Sequence, residues 1–318
     1  MLYGTKRGTA RLLAAIALSI VLLVALTGCG ARGADSATQQ PDAPAEAGVT
    51  FPITLEDDAG REVVIESEPR RIVSLAPSNT EIVYALGLID RLIGVTTFCD
   101  YPAQVGEIDK IGDFIQPNIE AITAANPDLI LMTTGVQEDV VEQLEGTGAA
   151  VLAIDPKSLE DLLTAIRIVG QATATPDTAE EVIAGMQAEL DEISAAVADR
   201  ERVRVFIEVA QNPLFTAGTG TLINDLINAA GGENVVTQEG YVGYSIEQLV
   251  TDDPVAYLAT KGSMSDPADL EQRQGFAGLS AVKNDRVYVL EDNLVSRPGP
   301  RVVQGVRQIA ESLHPTAF

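Results

Sequence analysis

The chain has 318 residues, with 46 acidic against 21 basic side chains and a formal charge of −25 at pH 7. That balance argues against a nucleic-acid binder, which neutralises phosphates with Lys and Arg. One His, two Cys and no Trp argue against a His-built zinc site and a disulfide framework, while the length allows about two domains of 100–200 residues.

Lys6, Arg7 and Arg11 precede an apolar run from Leu12 to Leu26, 15 residues that are short for a membrane span. Leu26-Thr27-Gly28-Cys29 follows. This ending resembles the bacterial lipobox, which implies a signal peptide over 1–28, cleavage before Cys29 and a lipid on its sulfur. Cleavage removes three basic and no acidic residues, leaving 18 basic against 46 acidic and a formal charge of −28. Residues 29–50, rich in Ala, Pro, Gln and Asp, read as a flexible tether. The expectation is an exported protein held at the outer face of the cell membrane, or in the periplasm, with its folded part free of the bilayer. With Cys29 lipidated, Cys99 has no partner and reads as a small buried residue.

Phe51 to Ser67 alternates about Asp58-Ala59-Gly60 and reads as a β-hairpin. Arg71 to Leu75 is a buried strand. Ser78 with Glu81 has capping-box spacing for a helix ended by Gly87. Strands over Leu92–Val95, Leu129–Met132 and Ala149–Ile154 alternate with helical patterns, which predicts an α/β lobe with a largely parallel sheet over 51–174. A helix follows over Ser158–Thr173. Thr175 as N-cap and Pro176 at the first position then start a long helix to Asp199, with an apolar stripe of Ala184, Met186, Leu190, Ile193 and Val197. At about 36 Å it is long enough to join two lobes rigidly, giving a linking segment at 175–200.

A second α/β half over 201–318 begins with a strand, Val203–Val209, and a turn, Asn212 to Phe215. Thr216-Ala217-Gly218-Thr219-Gly220 leads into a helix at Leu222–Ala230. Without a Lys or a third Gly, this is an ordinary strand–helix turn rather than a phosphate loop. A last strand, Asp285–Leu290, and a terminal helix ending near Leu313 follow Tyr241 and Tyr244.

One stretch occurs twice. PNIEAITAANPDLILM at 117–132 and YSIEQLVTDDPVAYLA at 244–259 align at an offset of 127, matching Ile119 with Ile246, Glu120 with Glu247 and Pro127 with Pro254. Each places a Glu two residues after an N-cap residue, Asn118 or Ser245, and Gln248 has capping-box spacing. Either Glu alone would complement its helix dipole. The pair implies two similar lobes, each presenting one carboxylate.

Catalytic equipment is thin. His314, between a terminal helix and Pro315, is poorly placed for a Ser–His–Asp triad, and there is no Walker A sequence. Carboxylate-only chemistry such as glycoside hydrolysis survives as the alternative class. Tyr101, Phe114, Phe215, Tyr241, Tyr244, Asn293 and Arg297 fall in segments after strands, where open α/β sheets bind ligands, and are the candidate pocket residues.

RIVSLAPSNTEIVYALG, GVTTFCDYP, PNIEAITAANPDLIL, PLFTAG with INAAGGENVV, and NDRVYVLEDNLVSRPGPR, in that order, resemble the substrate-binding proteins of ABC importers for cobalamin, ferric siderophores and haem. CDYP and RPGPR are most similar to the cobalamin-binding branch. The resemblance implies two α/β lobes joined by one long rigid helix, a ligand cleft between them, no enzymatic activity and no resident cofactor or metal. It implies a monomer that meets a transmembrane permease, with Glu120 and Glu247 docking on permease arginines. In the cobalamin binders an Asp and an Arg on the second lobe meet the ligand. Asn293 stands about where that Asp would be, and Arg297 matches the Arg. Cobalamin or another corrinoid is the first expected ligand. A ferric siderophore, favoured by Arg297 with Arg301, and haem, with Tyr101 or Tyr244 on iron, are the alternatives.

Overall fold

In the computed structural model, residues 48–261 and 264–318 are described. The expected signal peptide, Cys29 and the tether through residue 47 lie outside the described residues. Ile53–Glu56 (β1) and Glu62–Ile65 (β2) pair antiparallel, with Ile53 opposite Ile65, and Gly60 supplies the left-handed turn position at φ 71°. The predicted hairpin is therefore present.

The first lobe is built on four parallel strands: Ile72–Ser74 (β3), Leu92–Val95 (β4), Leu129–Met132 (β5) and Ala150–Ala153 (β6), in the order β4-β3-β5-β6. Both faces are covered, which explains why β5 reads as an unbroken apolar run with all four residues buried. Helices Pro77–Ala85 (α1), Ile119–Ala125 (α2) and Val141–Glu145 (α3) make the connections. Leu159–Ala172 (α4), capped by Ser158 Oγ accepting from Asp161 N at 3.0 Å, leads to the long helix Pro176–Val197 (α5). Its 22 residues span about 33 Å at 1.5 Å per residue.

The second lobe has Val203–Glu208 (β7), a small antiparallel sheet of Ala210–Gln211 (β8), Leu214–Ala217 (β9) and the later Tyr241–Gly243, and helix Leu222–Ala229 (α6). Gly232–Asn234 (β10), Tyr241–Gly243 (β11), Ile246–Asp252 (α7), Ala256–Thr260 (β12), Ser280–Lys283 (α8), Val287–Leu290 (β13), Asp292–Val295 (α9) and Val302–Leu313 (α10) complete it. Its main sheet runs β10-β7-β12-β13, all parallel.

The two sheets have the same connectivity: first strand second in order, then the twin-stretch strand, then the last. The repeat extends to detail. Helices α2 and α7 both end on a left-handed residue, Asn126 at φ 49° and Asp253 at φ 39°, at the offset of 127 seen in the sequence. Arg71 donates to the carbonyls of Ala125 and Asn126, and Arg204 to those of Asp252 and Asp253. In each lobe, then, an arginine at the head of the first strand closes the carbonyl end of the twin helix, where a cation also meets the negative end of the dipole.

One apolar cluster runs through both halves by way of α4, α5, α6 and α10. On α5 the buried residues are Ala179, Ile183, Met186, Ile193 and Val197, with Leu190 half-buried. The expected Ala184 faces solvent instead, because steps of four and three from Ala179 select Ile183. Three local expectations also change. Helix α1 starts at Pro77 with Ala76 as its uncapped N-cap, so Ser78 caps nothing and Glu81 is free for another partner. Thr175 Oγ1 pairs with Thr173 Oγ1 at 3.0 Å rather than capping α5. Leu214 and Phe215, read as a turn, belong to β9 because the turn is one step earlier.

Candidate functional site

A cavity of about 610 Å³ lies between the lobes. Its first wall is Ala76, Pro77 and Ser78 beyond β3, Phe98 beyond β4, Phe114 and Ile115, Thr133 beyond β5, and Asp155 to Lys157 beyond β6. The facing wall is Gly220, Thr221 and Leu222 at the start of α6, Gly240, Tyr241, and Asp292, Asn293, Ser296, Arg297 and Pro298 about α9. The first-lobe residues follow carboxyl ends of parallel strands, the usual ligand side of such sheets. Large apolar groups stand open to solvent here: Phe98 is 56% exposed, Ile115 61% and Tyr241 51%. Three such residues about one cavity supply apolar surface for a ligand to cover.

Of the seven candidate pocket residues, Phe114, Tyr241, Asn293 and Arg297 line this cavity. The structure places the other three elsewhere. Tyr101 lies under the Arg301 guanidinium, 3.8 Å from its ring centroid, and edge-on to Tyr84. Phe215 is half-buried in β9, beside Gly243 of the neighbouring strand β11. Tyr244 is buried against Phe206 with its hydroxyl on Asp252. Aromatic type alone did not separate these from cavity rings, since packing and ligand stacking use the same surface. Phe98, Ile115 and Thr133 were missed. Phe98 stood inside the GVTTFCDYP stretch, and Ile115 and Thr133 carried no chemical signal of their own.

Charged groups beside the cavity knit the lobes together. Glu81 of α1, 2% exposed, accepts from Arg301 Nε at 2.9 Å and Nη2 at 2.7 Å. Arg297 Nη1 is 3.5 Å from Glu81 Oε1 and donates to Asp100 Oδ1 at 2.5 Å, with Nη2 on Oδ2 at 3.3 Å. Asn293 Nδ2 completes the set, 3.4 Å from Asp100 Oδ2. Hydrogen bonding by Arg297 holds the Asp100 carboxyl below the usual carboxylate range. Across the cavity, desolvation by the surrounding walls and then the nearby Asp155 carboxylate hold the Tyr241 phenol above its ordinary value, although half of the residue's surface stays open. Glu81 and Asp100 were not singled out from the sequence as ion-pair partners: Glu81 has the spacing of a cap, and Asn293 draws attention to an acid absent from its own position when Asp100 supplies one beside it from the other lobe.

Glu120 and Glu247 stand exposed in the first turns of α2 and α7, away from the cavity lining. Asn118 Oδ1 accepts from Ala121 N and Ser245 Oγ from Gln248 N, both at 3.0 Å. Gln248 does not return the bond; its amide goes to Asp252. Each helix start is tied to the lobe, through Asn118 N on Ile111 O at 2.8 Å and Tyr244 N on Leu214 O at 2.9 Å. His314 is buried with Nε2 3.2 Å from Gly231 O, and Cys99 is buried with Sγ 3.2 Å from the hydroxyls of Thr80 and Thr96. No group of three or more His, Cys, Asp or Glu side chains suited to a metal occurs among the described residues.

A periplasmic binding protein model matches residues 72–294, most of the chain and both lobes. The chain belongs to the periplasmic binding protein family. It is 35% identical over 308 residues to the uncharacterised ABC transporter substrate-binding lipoprotein YvrC of Bacillus subtilis, covering 94% of this chain and 96% of the relative. It is 30% identical to a vitamin B12-binding protein of Vibrio parahaemolyticus, covering 78% of this chain and 91% of that one. The crystal structure of a periplasmic haem-binding protein from Pseudomonas aeruginosa superposes with a TM-score of 0.71 at 30% identity, over 79% of this chain and 94% of that chain. The fold expected from the sequence, two α/β lobes with a long helix between them, is the fold of this periplasmic binding protein.

Proposed function

We propose that this periplasmic binding protein is the substrate-binding component of an ABC importer and that its cargo is cobalamin or another corrinoid. The observation that carries the reading is the lining of the cavity. Its ionised side chains are two acids, Asp155 and Asp292, and two bases, Lys157 and Arg297, set among Phe98, Phe114, Ile115 and Tyr241. Balanced charge with aromatic edges suits a large ligand of little net charge. A polyanionic ferric siderophore would meet no excess of positive charge there, and would approach a body of formal charge −28 once residues 1–28 are removed. The likeness to a vitamin B12-binding protein over 78% of the chain points the same way.

Haem is the second reading, supported by the fold of the haem-binding neighbour. Tyr101 and Tyr244, the expected iron ligands, are both engaged elsewhere, which leaves Tyr241 as the tyrosine lining the cavity. In the wider reading, Cys29 carries the lipid that holds the protein outside the membrane, the protein works as a monomer, and Glu120 and Glu247 meet permease arginines as bidentate acceptors.

The absorbance spectrum of protein purified without added ligand, followed by titration with cyanocobalamin, haemin and a ferric siderophore, tests the cargo. Corrinoid absorbance, or a rise in melting temperature with cyanocobalamin alone, is expected. A rise with haemin alone replaces the first reading by the second. Turnover of a glycoside with no ligand-induced shift would return the carboxylate hydrolase alternative.

A further inference from the structure

The repeat between the lobes reaches further toward the cavity than the twin helices. DFIQPNIE at 113–120 and GYVGYSIE at 240–247 align at the same offset of 127. Phe114 and Tyr241 are therefore equivalent positions, and both line the cavity, one on each wall.

The two rings are held in different ways. Tyr241 belongs to β11, which pairs with β9: Tyr241 lies opposite Ala217, Val242 opposite Thr216 and Gly243 opposite Phe215. A ladder of backbone hydrogen bonds fixes that ring to its lobe. Residues 113–116 belong to no strand. They turn on themselves, with Asp113 Oδ1 accepting from Ile115 N at 2.8 Å and from Gln116 N at 2.6 Å. Among the described residues, one hydrogen bond ties this segment to the rest of the lobe: Gln137 Nε2 donates to Phe114 O at 2.7 Å.

Glutamine is mostly a surface residue, yet Gln137 is 0% exposed. Every hydrogen bond of its amide ends on a segment that leads into the first cavity wall. Besides Phe114, Nε2 donates to Leu75 O at 2.8 Å, just ahead of Ala76, Pro77 and Ser78, and Oε1 accepts from Thr133 N at 3.0 Å. Two donors and an acceptor on one arm of this length are what a neutral amide supplies and a carboxylate or an apolar chain does not.

We propose that Gln137 is a positioning residue for cargo: it does for Phe114 what pairing with β9 does for Tyr241, and so sets the spacing of the two rings across the cavity. Without it, Phe114 and Ile115 come loose while Tyr241 stays fixed. A rigid ligand cannot follow a displaced ring, so its affinity carries the cost of ordering the wall. The effect on cargo rests on the reading of the cavity as the cargo site; the anchoring of Phe114 does not.

The test has two arms. In ligand-free, nitrogen-15-labelled protein, Gln137→Met should lower the backbone order parameters of Phe114, Ile115 and Gln116 to below about 0.6, the flexible range, and leave those of Tyr241, Val242 and Gly243 unchanged. Unchanged order at 114–116, or equal loosening at 241–243, overturns the anchoring. The second arm measures cyanocobalamin binding well below the melting temperature of each variant. Gln137→Met should bind about tenfold more weakly, the worth of one hydrogen bond. Phe114→Ala should also weaken binding, and adding Gln137→Met to it should cost nothing further, because the ring through which Gln137 acts is gone. A second tenfold loss in the double variant, or unchanged affinity in Gln137→Met, overturns the positioning role. Gln137→Glu, which keeps the acceptor for Thr133 N and removes both donors, repeats both readings should Met leave too little folded protein. Failure of the wild type to bind cyanocobalamin sinks the cargo reading, and the order parameters still decide the anchoring.

Discussion

Glu81 of α1 and Arg301 at the start of α10 join the two lobes by paired hydrogen bonds of 2.7 and 2.9 Å, with Glu81 all but sealed from water at 2% exposure. Gly299 allows the approach, since a Cβ there would stand 3.2 Å from Glu81 Oε2. Removing Arg301 takes both short hydrogen bonds from the buried carboxylate and leaves it only the longer contact with Arg297 at 3.5 Å. Arg301→Ala is therefore expected to destabilise the protein by about 3 kcal/mol, at the low end for a broken buried pair because Arg297 stays close. Replacing both partners with Leu should recover most of that loss, because the desolvation cost of the pair goes with them. Urea unfolding of the single and double variants reads both outcomes, and a double variant as unstable as Arg301→Ala would contradict the account.

Arg71 and Arg204 close the twin helices in the same way, each on two carbonyls at a left-handed cap. Both pairs are solvent-exposed, so each Arg→Ala change should cost only about 1 kcal/mol. The sites lie in different lobes and share no partner, and the double variant should show the sum of the single losses within about 0.5 kcal/mol. Clear non-additivity in denaturant unfolding would mean that the two caps are coupled through the core.

The twin stretch made the repeat legible, because a helix cap, a Pro and a buried strand each leave a local mark in sequence. Asn118 and Ser245 cap their helices as the pattern predicts. The cavity floor was not legible in that way. Glu81 has the spacing of a capping box, yet its partner lies 220 residues away in sequence. Asp100 and Arg297 are 197 apart, and no local pattern records such a pairing. Tyr244 shows the converse. It sits in a segment where ligand contacts gather, but the ring fills the second core and the hydroxyl is taken by Asp252.

Two tyrosines should resist alkali. Burial and then Asp252 push the Tyr244 phenol up, and burial with the Glu208 carboxylate does the same for Tyr257. Unfolded tyrosine titrates near about pH 10. Because the folded values lie higher, this contribution to stability is complete below that pH and is lost as pH rises from there through the folded values. A titration at 295 nm should show these two ionising only as the protein unfolds. Tyr244→Phe should soften the stability loss above pH 10; an unchanged alkaline midpoint would count against the role given to Tyr244.

Asp100 works in the opposite direction. Arg297 holds its carboxyl below the usual range, so its contribution is complete above the unfolded value of about 3.9 and is lost as pH falls through the folded value. The Asp100 side chain is 55% exposed, so solvent screening keeps the contribution to about 0.5 kcal/mol. Asp100→Asn should melt slightly lower than the wild type at pH 6, and the difference should shrink as pH falls below about 4. A difference that grows toward acid would reverse the sign and refute the assignment.

Glu120 and Glu247 supply the last expectation, which belongs to the proposed docking on a permease. Both are exposed, both occupy the second position of a capped helix, and neither lines the cavity. Docking and cargo binding should therefore separate cleanly. Glu120→Arg and Glu247→Arg should each reduce ligand uptake in a reconstituted transporter, and the double change should reduce it further, while ligand affinity stays at the wild-type value. Reversal also sets a cation against a helix N-terminus, at a cost of about 0.3–1 kcal/mol. Glu→Gln at both positions removes the charge with less of that cost and should lower uptake in the same order. Uptake unchanged in all of these variants would leave both carboxylates as ordinary partners of their helix dipoles and would remove the two-footed docking model.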